Sequence, residues 1–147
     1  IDPTDPRFAS PGDMPQKIAA YCRETRQQAP EGVGATVRCA LESLAITYRR
    51  SLDTLERLTG QRLSRLHIVG GGSKNRLLMQ MAADATGRQV IAGPVEATAI
   101  GNLLIQALAL GRIKDHAELR RVVRDSFAVE TFTPKDHAAW DDALKRA

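Results

Sequence analysis

The sequence predicts an α/β fold, helix-rich and built on few parallel strands, and three observations predict it. Short apolar runs at residues 66–69 and 89–92 are each followed by glycine, and their length and punctuation mark them as buried strands. Around them, apolar residues recur at steps of three and four, the period of one helix face. The resulting order, strand, helix, strand, helix, requires parallel strands joined by helical crossovers.

The chain of 147 residues suits one domain. Residues 1–12 hold three prolines and two Asp-Pro steps; proline fixes φ and bars its predecessor from the helical region, so an extended loop is expected. Residues 13–147 form the folded body. A first helix starts near Asp13, a candidate N-cap, with Pro15 in its first turn and Pro30 ending the segment. The second helix carries Val37, Leu41, Leu44, Tyr48, Leu52, Leu55 and Leu58 as its inward stripe, with Arg49, Arg50, Asp53 and Glu56 off it, and Gly60 closes it. After strand 66–69 a helix over residues 74–86 turns Leu77, Leu78, Met81, Ala82 and Ala85 inward and ends at Gly87. Beyond strand 89–92, residues 95–110 are apolar nearly all round, which predicts a buried helix. Asp115 and Glu118 resemble a capping box, Thr133-Pro134 marks a last helix start, and residues 127–132 alternate as a short strand. Trp140 and Leu144 dock that last helix on the body. A parallel sheet is normally buried on both faces and has several members, so strands flanking 66–69 are expected outside this chain, which opens on Ile1 and reads as a segment of something longer.

Composition excludes several functions. Hydrophobic residues are 43% and charged residues 26% of the chain, a globular balance that argues against disorder. The net charge is +4, but Arg23, Arg49, Arg62, Arg88 and Arg120 are dispersed, which describes solvated helix faces and not a nucleic-acid stripe. Aromatics at 4% leave few platforms for base stacking. No apolar run reaches the ~18 residues of a membrane span, and no signal peptide is expected. The two cysteines, Cys22 and Cys39, are too few for a disulfide scaffold or a zinc site and fit a cytoplasmic protein with reduced core thiols. His67 is expected packed in its strand. His137 with Asp136 and Asp141 reads as a solvated helix face, since zinc needs three or four converging ligands.

The stretch with chemical content is Ile68-Val69-Gly70-Gly71-Gly72-Ser73-Lys74-Asn75. A helix start offers unpaired N–H groups and partial positive charge, and glycines remove the Cβ atoms that would block a ligand. The run is neither a P-loop nor the dinucleotide fingerprint, whose third glycine position holds Asn75. By spacing alone it is also a plain tight turn between strand and helix.

The wording is more specific than the spacing. The run IVGGGSKNRLLMQMAADATGRQVIAGPVEATAIGNLLIQALALG, with the opening IDPTDPRF, YCRET, VRCALESLA and the Trp-containing tail, resembles the C-terminal region of the FGGY carbohydrate kinases over essentially the whole chain. The resemblance implies part of an actin-like ATPase fold (ribonuclease H-like), in an enzyme that holds ATP and Mg²⁺ between two lobes. In the branch it is most similar to, the reaction is phosphorylation of L-rhamnulose at its 1-hydroxyl. It implies that Gly71 and Gly72 lie against the nucleotide and that Asn75 reaches toward the adenosine. Gly70 shapes the turn, Glu96 sits at a helix start and Gly101 permits close helix packing. The catalytic aspartate, the phosphate clamps and most sugar contacts fall outside this segment, so no catalytic residue and no metal ligand is assigned here and the segment alone should be inactive. The resemblance further implies that Cys22 and Cys39 can pair on oxidation. The alternative function is a stand-alone nucleotide-binding or regulatory module without catalysis. The expected partners are an adenine nucleotide and a sugar held mainly by the other lobe, with no nucleic acid and no membrane. An uncovered strand edge and apolar surface predict that the fragment self-associates.

Overall fold

The computed structural model describes residues 1–146. In chain order the elements are α1 (Met14–Glu24), α2 (Gly32–Thr59), β1 (Arg65–Ile68), α3 (Arg76–Thr86), β2 (Gln89–Ala92), α4 (Ala97–Ala109), α5 (His116–Ser126), β3 (Glu130–Phe132) and α6 (His137–Arg146). Short 3₁₀ turns at Pro6–Phe8 and Gly71–Lys74 precede α1 and α3. The sheet runs β1-β2-β3. β1 and β2 are parallel, with Leu66 opposite Val90 and Ile68 opposite Ala92, as the α3 crossover requires. β3 pairs antiparallel with β2, Phe132 opposite Val90. The parallel expectation thus holds for two strands and fails for the third, whose connection through α5 lets it return along β2.

The core lies where α3 is held between the sheet and α2. Leu78, Met79, Ala82 and Ala83 pack on Val90, Ala92 and Phe132, with Leu41, Leu44 and Tyr48 of α2 closing over them. Met81 and Ala85 pack on Ala45 of α2, with Trp140 of α6 laid against them. Buried on two sides, α3 has no single apolar stripe. Met79, absent from the expected inward set, is fully buried, whereas Leu77, included in it, is 53% exposed. The stripe of α2 is likewise buried only in its middle: Leu52 is buried, but Val37, Leu55 and Leu58 are exposed. Length is the reason. The 28 residues of α2 span about 42 Å and the 11 of α3 about 16 Å, so the ends of α2 overhang their cover.

Several boundaries differ from expectation. Asp13 takes the left-handed conformation at φ 49° and makes no side-chain cap, although Pro15 does sit in the first turn. α1 ends well before Pro30, where Arg26 turns left-handed and the Gln27 N–H donates to Cys22 O at 2.7 Å. The opening residues are not simply extended. Asp5 caps the Pro6–Phe8 turn, and Arg7 joins Asp5 to Glu24 while lying over the Tyr21 ring. Gly60 and Gly87 close α2 and α3 in the left-handed conformation as expected. Asp115 accepts the Glu118 N–H at 2.8 Å, and Glu118 reaches back to the N–H of Lys114, which makes the capping box real but displaced by one residue. The final helix starts at His137 and not at Thr133-Pro134. Its lead-in is held by Asp84 of α3, which accepts the N–H of Lys135 at 2.6 Å and of Asp136 at 3.4 Å.

The charged residues are less idle than their spacing suggests. Arg49 donates to Ala85 O and pairs with Asp141, tying α2, α3 and α6 together. Arg88 donates to Leu63 O at 2.7 Å and pairs with Glu56. The Leu63 N–H, and then Arg88, hold the Glu56 carboxyl below its ordinary value. His137 is not simply solvated either: its Nδ1 lies 2.8 Å from Asp84 O.

α4 departs furthest from expectation. None of its residues is buried, and Leu103 and Ile105 are 67% and 50% exposed. A helix apolar on every side needs partners on every side, and α4 packs here mainly on α5. Among the described residues, no helix is long and apolar enough to cross a membrane.

Candidate nucleotide-binding loop

Beyond the C-terminal end of β1 the backbone bends at Gly70, with φ 83° and ψ −172°, a conformation that L side chains rarely adopt. The bend is held on both sides. The Gly70 N–H donates to Pro94 O at 3.3 Å and the Gly93 N–H to Ile68 O at 2.8 Å. Gly70 O accepts both the N–H of Ser73 at 3.1 Å and its hydroxyl at 2.7 Å. Ser73 is buried beneath the turn.

Gly71 and Gly72 are exposed at the start of the 3₁₀ turn, where the first amides of a helix have no earlier carbonyl to pair with. A Cβ placed on either would meet nothing within 4 Å. Together they make a bare backbone ledge at the carboxyl end of a parallel strand, where open α/β sheets admit ligands. The helix expected to follow directly begins only at Arg76. The intervening turn brings Asn75 to the N-cap, where its Oδ1 accepts the Leu78 N–H at 3.1 Å. With Oδ1 engaged, the exposed Asn75 retains Nδ2 as a donor.

Other residues singled out by sequence take different places. Glu96 precedes α4 but makes no side-chain cap. Gly101 has open space where its Cβ would be, so the close helix packing expected there is absent from this chain. His67 is exposed and not packed, because it projects from the sheet face away from α3. Among the described residues, no group of three or more His, Cys, Asp or Glu side chains could hold a metal ion. Asp84 went unplaced by sequence, because its role depends on residues some fifty positions away.

Cys22 is buried and Cys39 half-buried, both as free thiols. Burial first, then the neighbouring Cys22, pushes the Cys39 thiol above its ordinary value.

Residues 1–110 match the C-terminal domain of the FGGY family of carbohydrate kinases, and the chain belongs to that family. Its α/β architecture is accordingly part of an actin-like ATPase lobe. The chain is similar to the rhamnulokinase of Bacteroides thetaiotaomicron, with 49% identity over 143 residues, covering 97% of this chain and 30% of that protein. It is 46% identical to the rhamnulokinase of Bacillus subtilis, covering 92% of this chain and 28% of that protein. The rhamnulokinase of Enterobacter sp. is 45% identical over all 147 residues. The chain therefore spans about three tenths of the length of the curated relatives it matches.

Proposed function

We propose that this chain is the nucleotide-contacting part of an ATP-dependent kinase that phosphorylates L-rhamnulose at its 1-hydroxyl. The observation that carries the reading is the uncovered Gly71-Gly72 ledge, in a chain 45–49% identical to the rhamnulokinases described above. ATP supplies the transferred phosphoryl group. Gly71 and Gly72 admit the nucleotide against their backbone, the free amides there favour its negative charge, and Asn75 Nδ2 donates to the adenosine. Phosphoryl transfer needs a base, a metal and phosphate clamps held in register. These belong to the rest of the enzyme, and the segment alone is inactive. The test is adenine-nucleotide titration of the full-length protein, followed by an assay with ATP and L-rhamnulose. A protein that binds no adenine nucleotide sinks the reading; one that binds ATP but leaves L-rhamnulose unphosphorylated sinks the substrate alone.

We place the protein in the cytoplasm, where ATP is made and thiols stay reduced, and assign Cys22 and Cys39 as a pair that closes on oxidation. Incubation with oxidised glutathione should remove both free thiols. The bond would close a loop of about 17 residues and stabilise the fold by about 3 kcal/mol. Two thiols still titratable after incubation under unfolding conditions would exclude the pairing.

The isolated chain also self-associates, in our reading, through the apolar surface of α4. Sedimentation velocity should show a weight-average mass that rises with concentration. A strict monomer across the range would contradict this.

A further inference from the structure

A cleft of about 440 Å³ opens between α5 and the sheet face turned away from α3. Strand alternation builds one wall: Leu66 and Ile68 point into the core, so Arg65 and His67 point the other way, beside Ile91, which stands opposite His67. Helical spacing builds the other wall. Arg120, Val123 and Arg124 line the cleft together, one turn apart on a single face of α5.

The charge of this cleft is one-sided. Three arginines and a histidine line it, and no carboxylate does. Arg65, Arg120 and Arg124 form none of the ion pairs found among the described residues, whereas Arg7, Arg49, Arg76 and Arg88 all do. Like charges at i and i+4 on a helix disfavour each other, so gathering them without an acid costs stability that a bound anion would restore. The guanidinium fork matches phosphate oxygens in pairs. Between the arginines, Ile91 and Val123 give an apolar floor, suited to a ring or chain and not to a bare ion. The volume lies within the ~300–1,000 Å³ of small-ligand sites.

We propose that this cleft binds a small organic phosphate, a monoester whose apolar portion rests on Ile91 and Val123 while Arg65, Arg120 and Arg124 hold its oxygens. The cleft shares none of the three residues named for the glycine ledge, although Gly93 and Pro94 of its lining hydrogen-bond to Ile68 and Gly70 beside that ledge.

The probe is phenyl phosphate, titrated calorimetrically into the full-length protein with adenine nucleotide present to occupy other nucleotide-binding surfaces. Saturable binding is expected, at least about tenfold tighter than that of inorganic phosphate, because the ring adds apolar burial. The R120E/R124E protein should lose at least about tenfold in affinity, each arginine supplying a charge-assisted bond. Arg65→Gln tests the opposite wall without touching α5 and should weaken binding in the same direction. Gly71→Asp should leave phenyl phosphate binding unchanged. Absence of saturation, equal affinity for inorganic phosphate, or undiminished binding by both arginine variants would each overturn the proposal.

Discussion

The full-length protein carrying Gly71→Asp is expected to lose adenine-nucleotide affinity by about a hundredfold, which corresponds to roughly 2.7 kcal/mol. Two effects combine. The new side chain occupies the space through which the nucleotide approaches the backbone, and its carboxylate brings negative charge toward a negatively charged ligand. Two like charges about 4 Å apart near a protein surface repel by roughly 4 kcal/mol, so even a partly screened encounter reaches the expected loss. The fold itself should be spared, because a Cβ at Gly71 meets nothing within 4 Å and its φ is not left-handed. Gly71→Ala then measures the steric part alone. Gly70→Ala is the contrasting control: it forces an L side chain to φ 83°, so it should lower stability before it reports on binding. Equilibrium titration with ADP, beside a melting curve for each variant, reads both quantities. An aspartate at position 71 that leaves affinity unchanged would remove the glycine ledge from the nucleotide site.

Met79→Ala is expected to destabilise the chain by about 3 kcal/mol and to lower its melting temperature by roughly 10 °C. Met79 is 0% exposed and fills the space between α3, the sheet and α2. Truncation leaves a cavity among Leu78, Val90 and Phe132 that neighbouring residues, set in rigid elements, cannot fully close. Leu77→Ala removes an apolar side chain of similar size two positions earlier, yet Leu77 is 53% exposed and its loss should stay within about 0.5 kcal/mol. Denaturant unfolding of the two variants side by side checks the contrast. Equal destabilisation by both would mean that α3 is rotated about its axis relative to the packing described.

Where a feature depended on neighbours in the chain, the residues alone determined it. Gly60 and Gly87 end their helices because a left-handed residue without Cβ carries no strain there. The pairing of β1 with β2 follows from a helix of suitable length between two short apolar runs, and the Gly70 bend follows from three glycines after a strand. Tertiary structure alone decided which of several apolar faces found a partner. Leu77 and Met79 are two positions apart in sequence and nearly alike in hydrophobicity, but burying α3 between two layers hides one and exposes the other. α4 is apolar throughout and still exposed, since periodicity reports what a helix would bury and not whether a surface is there to bury it. The roles of Asp84 at the start of α6, of Arg49 between three helices and of the arginines around the cleft also join residues far apart in the chain. Hydrogen bonds and ion pairs of that kind depend on distances in space, which no local pattern of residues encodes.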